Sequence, residues 1–88
     1  MNSIYYFEVT DTFGGEANYC WVRRYNVSAS SMRGAIGMVN KEEGFGRLKK
    51  VMSGELHRWD VVGACICIFG AESDEFSVER PCKTLPEK

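Results

Sequence analysis

The apolar residues of this chain change period near residue 28, and that change is the strongest constraint on the fold. Ahead of it, apolar and polar residues alternate, which is typical of β-strands. Behind it, Met32, Ala35, Ile36 and Val39 follow the i, i+3, i+4, i+7 spacing of one helix face. The sequence therefore predicts one amphipathic helix packed on one face of a sheet.

Two strands are predicted before the helix. Residues 4–11 (IYYFEVTD) and 19–27 (YCWVRRYNV) are rich in aromatic and β-branched residues. The Gly-Gly pair at 14–15 supplies a turn, so the two strands are predicted to form a hairpin. Because successive side chains of a strand point to opposite faces, Arg23 and Arg24 are expected on different faces.

The ends of the helix carry recognisable capping residues. Ser30 is the predicted N-cap, and Gly44 with Gly46 is predicted to end the helix. Gly34 and Gly37 lie inside it, where glycine is unfavourable. Their small size is expected to let the helix approach the sheet closely.

The remaining chain is predicted to be mainly strand. Residues 47–52 and 55–60 are read as two short strands because a Ser-Gly pair separates them, although their apolar residues would also line a helix. Residues 64–69 (ACICIF) are apolar on both faces, which is typical of a central strand. The order is β-β-α-β-β-β, an α+β fold with a mainly antiparallel sheet. One compact domain is expected over residues 1–80, with a loose tail over 81–88.

The charge balance excludes a strong global attraction to nucleic acid or anionic lipid. Eleven Lys and Arg residues oppose twelve Asp and Glu residues, giving a formal net charge of −1. The N-terminal residues lack a signal-peptide pattern, and the apolar run at 61–70 is far shorter than a bilayer span. We therefore expect a soluble cytoplasmic protein that does not engage membranes and keeps its cysteines reduced.

Cysteine and histidine are the residues that would carry metal or catalytic chemistry. Cys65 and Cys67 are separated by one residue inside an apolar strand, whereas structural zinc usually takes knuckles with about two to four intervening residues. The spacing favours packing of these thiols in the core over zinc binding. A Cys67–His57 pair has no accompanying catalytic motif, and no phosphate-binding glycine loop precedes the helix. We expect a non-enzyme without cofactor or metal.

The segment 19–27 is the predicted contact surface. Aromatic residues and arginine alternate on one of its faces, and these residue types dominate the hot spots of protein interfaces. A sheet covered by one helix leaves its other face open, so a protein partner is expected. An unpaired edge strand leaves both a monomer and a homodimer open. The predicted partner-binding residues are Phe13, Glu16, Trp21, Arg23, Tyr25 and Arg58.

A single-stranded nucleic-acid binder is the alternative. Tyr19, Trp21, Tyr25 and Trp59 would offer stacking faces, and nearby Arg and Lys side chains would contact phosphates. An ordinary solvated sheet face would contain the same residue types. We prefer a protein partner because binding a protein requires the fewest motifs that this sequence lacks.

Three stretches carry a resemblance to a known class of proteins: YYFEVTDTFGGEANYCWVRRY, SSMRGAIGMVN and RWDVVGACICIF, within residues 4–69. In these stretches, in length and in layout, the chain resembles the small accessory proteins encoded by phages and prophages, including small anti-CRISPR proteins. The resemblance implies a single α+β domain in the host cytoplasm that acts as a stoichiometric inhibitor. It would cover a working surface of a CRISPR-Cas type defence complex. The near-neutral charge departs from the members that mimic DNA and favours recognition through shape and mixed polar contacts.

Overall fold

The computed structural model describes residues 2–78 and 82–85. Within them, one helix and six strands form the fold, and the strands make one sheet in the order β3-β4-β5-β1-β2-β6. The elements are β1 (Ser3–Phe13), β2 (Glu16–Ala29), α1 (Met32–Glu43), β3 (Leu48–Met52), β4 (His57–Val61), β5 (Ile66–Ser73) and β6 (Cys82–Leu85). The predicted α+β class and the order β-β-α-β-β-β are confirmed, and β6 is an additional strand.

The sheet is antiparallel apart from one pair. β1 pairs with β2 as the predicted hairpin, and β5 lies between β4 and β1, so the apolar ACICIF segment is central as predicted. The ambiguous stretch after the helix forms β3 and β4, which pair antiparallel. The strand interpretation of that stretch is therefore confirmed over the helical one.

The predicted loose tail was wrong for residues 82–85. These residues form β6, which runs parallel to β2 at one edge of the sheet. Leu85 lies opposite Val27 and is buried, so one apolar side chain fixes the segment to the core. A four-residue strand has too little alternation to be recognised in sequence. The rest of the predicted tail lies outside the described residues.

The core lies between α1 and one face of the sheet, called here the helix face. Ala35, Ile36 and Val39 of α1 are buried, as their spacing predicts. The opposite face of the sheet is called here the outer face. Buried side chains of the helix face include Phe7, Val9, Tyr25, Val27, Trp59 and Ile68.

The helix ends are close to the predicted residues. Ser31, not Ser30, is the N-cap, and its Oγ accepts a hydrogen bond from the Gly34 amide at 3.1 Å. Ser31 takes this place because its extended backbone sits directly before the first helical residue. Gly44 ends the helix with φ 73°, a left-handed conformation that glycine adopts without a Cβ penalty.

Close approach to the sheet occurs at a glycine other than those predicted. A Cβ added at Gly37 would meet nothing within 4 Å, and at Gly34 only the Ser31 hydroxyl. A Cβ added at Gly70, on β5, would lie 2.4 Å from Cε1 of Phe7 and 3.2 Å from Cζ3 of Trp59. The helix glycines therefore do not serve helix–sheet packing, and Gly70 makes room for two core rings.

Candidate functional site

The distal part of the β1–β2 hairpin, residues 11–21, is called here the hairpin end. Gly14 and Gly15 connect the strands with φ of 62° and 88°, and Phe13 pairs with Glu16. Two successive positive φ values are the signature of a tight type I′ turn, which matches the twist of the strands. The predicted turn is therefore confirmed, and the hairpin extends beyond the predicted strand limits.

The hairpin end is bent by a bulge. Thr10 pairs with Val22, but Thr12 pairs with Ala17, so the register shifts between these two pairs. Tyr19 lies in the bulged part of β2 with φ 56°, the one non-glycine residue with positive φ among those described. Such a conformation is costly for an aromatic residue and needs support from surrounding contacts.

Asp11 supplies that support. Its Oδ2 accepts a hydrogen bond from the Asn18 side-chain amide at 2.8 Å, and its Oδ1 accepts one from the Cys20 backbone amide at 2.9 Å. The Asn18 hydrogen bond is the main reason that the pKa of Asp11 is below its ordinary value. The carboxylate therefore holds the two sides of the bulge together.

The bend lays the hairpin end over the outer face. Arg58 Nη2 donates a hydrogen bond to the Gly15 carbonyl at 2.8 Å, and the Tyr19 ring stacks on Phe69 with centroids 6.5 Å apart. Thr10 and Cys67 oppose each other on the outer face, yet both are fully buried. Thr10 Oγ1 also donates a hydrogen bond to the Trp21 carbonyl at 2.8 Å, so the hairpin end closes part of the face predicted to be open.

The cysteines are divided between core and surface. Cys67 is buried as predicted, and burial raises the pKa of its thiol. Cys65 was predicted to be in the core but is exposed, because β5 begins only at Ile66. Its backbone carbonyl accepts a hydrogen bond from the Thr12 amide.

The Arg58 side chain makes several contacts within the molecule. Besides the hydrogen bond to Gly15, its Nε lies 3.0 Å from a carboxylate oxygen of Asp60. Its guanidinium also lies 5.6 Å from the centroid of the Phe69 ring. Because these contacts occupy the Arg58 side chain, it is less available to a partner than its predicted role requires. Within the molecule, Arg58 tethers the hairpin end.

Tyr25 was expected to be exposed, and this was wrong. It is 5% exposed on the helix face, where its hydroxyl donates a hydrogen bond to Glu43, the last residue of α1. Glu43 also receives two hydrogen bonds of 2.7 Å from the Arg23 guanidinium. The end of the helix therefore covers Tyr25 and binds Arg23.

The electrostatics of this group follow from its contacts. Burial raises the pKa of Glu43, but hydrogen bonds from Arg23 and Tyr25 outweigh it, and the net pKa is below the ordinary value. Burial and the neighbouring carboxylate raise the pKa of Tyr25. The Arg23 guanidinium lies 4.4 Å from the centroid of the Trp21 ring, a cation–π distance.

Three aromatic rings of the hairpin end remain exposed. Phe13 is 81% exposed, Tyr19 53% and Trp21 36%. Glu16 is also exposed, and the Arg23 side chain is partly so. Of the predicted contact residues, Phe13, Glu16 and Trp21 belong to the hairpin end, and Arg23 follows it on β2, where it lies between the Trp21 ring and Glu43 of the helix. Tyr19 was missing from that predicted set, because its exposure depends on the bulge.

Replacing Asp11 by Ala is expected to loosen the hairpin end without unfolding the sheet. The two hydrogen bonds that Asp11 makes across the bulge are lost, while the one from Thr10 to the Trp21 carbonyl and the core contacts remain. The Cys20 amide should exchange with deuterium faster, measured by NMR, and amides of β4 and β5 should not change. Asp74→Ala, at an exposed position beyond β5, is the control. Unchanged exchange at Cys20 would contradict the role given to Asp11.

The described residues contain no group of three or more His, Cys, Asp or Glu side chains placed to hold a metal ion. In the same part of the chain, no helix has the length and apolar character needed to cross a bilayer. No family model, curated protein or solved structure matches this chain.

Proposed function

We propose that this protein is a non-catalytic binding domain whose hairpin end contacts a protein partner. The observation that carries the proposal is the exposure of Phe13 at a two-residue turn, together with the exposed rings of Tyr19 and Trp21. Large aromatic side chains are costly in water and are the preferred anchors of protein interfaces. All three rings belong to the hairpin end, a single stretch of 11 residues, and this density favours a contact surface over a scatter of single exposed residues.

The hairpin end is also held in one conformation before any partner binds. Asp11 fixes the bulge, Arg58 tethers the turn, and Tyr19 stacks on the outer face. Affinity is gained when interface groups are ordered in advance, because less conformational entropy is lost on binding. The internal hydrogen bonds of the hairpin end therefore support its use as a contact surface.

The resemblance to small phage-encoded accessory proteins gives the proposal its specific form. The domain would be an inhibitor that occupies a working surface of a CRISPR-Cas type complex in the host cytoplasm. Recognition would rest on the exposed rings with Glu16 and Arg23 beside them, since the chain is nearly neutral. Inhibition would be stoichiometric and would require no chemistry by this chain.

Phe13→Ala is the direct test, and Phe76→Ala is its matched control. Both phenylalanines are exposed, but Phe76 lies in the segment between β5 and β6. The partner recovered by pull-down from host lysate, with a purified CRISPR-Cas effector as the first candidate, is titrated with each variant by calorimetry. Phe13→Ala should weaken binding about 30-fold, the effect of losing a hot spot of about 2 kcal/mol. Phe76→Ala should leave it unchanged, and equal affinities would remove the hairpin end as the site.

The single-stranded nucleic-acid alternative has less support. Tyr25 and Trp59, two of the rings expected to stack on bases, are buried. Three arginines expected to meet phosphates are paired with carboxylates instead, namely Arg23 with Glu43, Arg24 with Glu8 and Arg58 with Asp60. A gel shift with mixed oligonucleotides decides between the two. Binding that falls steeply with salt would favour nucleic acid.

A further inference from the structure

An open cavity of about 540 Å³ lies on the helix face, near the start of β1. Tyr5 lines it, whereas the hairpin end begins six residues further along the same strand, roughly 20 Å away at 3.3 Å per residue. The cavity is therefore separate from the proposed partner-binding surface. Its lining residues are Tyr5, Met32, Gly54, Glu55, His57 and Glu72.

The sheet register places these residues together. Tyr5 lies opposite Glu72 across β1 and β5, and His57 lies opposite Gly70 across β5 and β4. Glu72 is two positions beyond Gly70, so it shares a face with His57. Met32 begins α1 and closes the cavity from the helix side. Tyr5 is buried, whereas Glu55 and Glu72 are exposed, so the cavity opens to solvent on the side of its two carboxylates.

The cavity has two carboxylates and no lysine or arginine in its lining. Elsewhere in the described chain, Glu8, Glu42 and Glu43 each pair with an arginine or a lysine. No such partner is found for Glu55 or Glu72 among residues 2–78 and 82–85. Two like charges beside one cavity repel each other, and a bound cation would relieve that repulsion.

His57 and Tyr5 give the cavity features that an acidic surface alone would lack. The His57 ring stacks on Trp59 with centroids 5.7 Å apart, and its Nδ1 is buried without a hydrogen-bond partner. Tyr5 is buried and presents aromatic surface to the cavity. A flat cation can stack on aromatic surface while it donates hydrogen bonds to carboxylates.

We propose that this cavity binds an organic cation bearing a guanidinium or alkylammonium group, with Glu55 and Glu72 as its counterions. Carboxylates form their strongest hydrogen bonds with such donors, and guanidinium can bind in a bidentate manner. The volume is within the range of small-molecule sites. The cation can be a free amine or the Arg or Lys side chain of a protein, since both present the same group.

NMR titration of the full chain tests the site. The probes are agmatine, a free guanidinium compound, and N-acetylargininamide, which represents an arginine side chain. N-acetylcitrullinamide is the neutral control of the same shape. The charged probes should shift amides around Glu72 and His57, and the neutral control should not. Tighter binding of agmatine would identify a free organic cation as the ligand. Tighter binding of the arginine compound would identify a protein side chain as the ligand.

Glu72→Gln and Glu55→Gln should each weaken binding about tenfold, the loss expected for one charge-assisted hydrogen bond. Glu75→Gln removes the same charge from an exposed position outside the cavity lining and should change little. Absence of binding by both charged probes would overturn the proposal. Equal affinity for the Glu72 and Glu75 variants would also overturn it, and neither result would affect the partner-binding role of Phe13.

Discussion

Gly70→Ala is expected to lower the free energy of unfolding by about 2 kcal/mol, the middle of the range for overpacking a tight core. The added methyl would lie 2.4 Å from Cε1 and 2.6 Å from Cδ1 of Phe7, closer than real Cβ contacts allow. Phe7 cannot move away freely because it is fully buried and its ring packs against Trp59, with centroids 6.1 Å apart. Urea denaturation followed by tryptophan fluorescence measures the loss.

Gly37→Ala is the matched control for this substitution. Gly37 is exposed in the middle of α1, and a Cβ there would meet nothing within 4 Å. Alanine is the better helix former by up to about 1 kcal/mol, so the variant should be more stable than the natural chain. A loss of stability for Gly70→Ala and a gain for Gly37→Ala would show that the space around the added methyl group decides the effect. A loss below about 0.5 kcal/mol for Gly70→Ala would mean that the core relaxes around the methyl.

The strands and the helix were predictable because their periods come from local backbone geometry. Alternation put Tyr5, Phe7 and Val9 on one face of the first strand, and all three are buried. The helical spacing from Met32 to Val39 identified the side of α1 that enters the core. β6 was missed because a four-residue edge strand depends on a partner far away in sequence, not on a pattern of its own.

The candidate surface was predictable only where exposure follows from local sequence. Phe13 is exposed because it adjoins a two-residue turn, and the Gly-Gly pair predicts that turn from the sequence. Tyr25 is buried because Glu43, 18 positions along the chain, reaches its hydroxyl. The bend of the hairpin end depends on Asp11 accepting a hydrogen bond from Cys20, nine positions away. Contacts at such separations have no periodic signature in sequence.

Glu43→Gln is expected to lower the free energy of unfolding by about 2 kcal/mol at pH 7, the scale of hydrogen bonds to a charged group. The Glu43 side chain is almost fully buried and accepts hydrogen bonds from Arg23 and Tyr25, which connect the end of α1 to β2. The larger cost of breaking a fully buried ion pair does not apply, because Arg23 is partly exposed and water can solvate it.

The pH dependence identifies the carboxylate as the source of this stability. The pKa of Glu43 is lower in the folded protein than in the unfolded chain, so its contribution is complete above the ordinary carboxyl pKa. That contribution is lost as the pH falls through the folded-state value. The difference in unfolding free energy between the natural chain and Glu43→Gln should therefore shrink as the pH is lowered from 7 toward 3.

Glu42→Gln separates this effect from a general change in charge. Glu42 is the preceding residue of α1 and pairs with Lys83, but both side chains are substantially exposed. Exposed pairs contribute about 0.5 kcal/mol, so Glu42→Gln should have a small effect at every pH. If the two variants lost equal stability at pH 7, burial of Glu43 would not make its interactions more stabilising than those of the exposed Glu42. A loss for Glu43→Gln that stayed constant with pH would show that shape, not charge, holds the helix end on Arg23 and Tyr25.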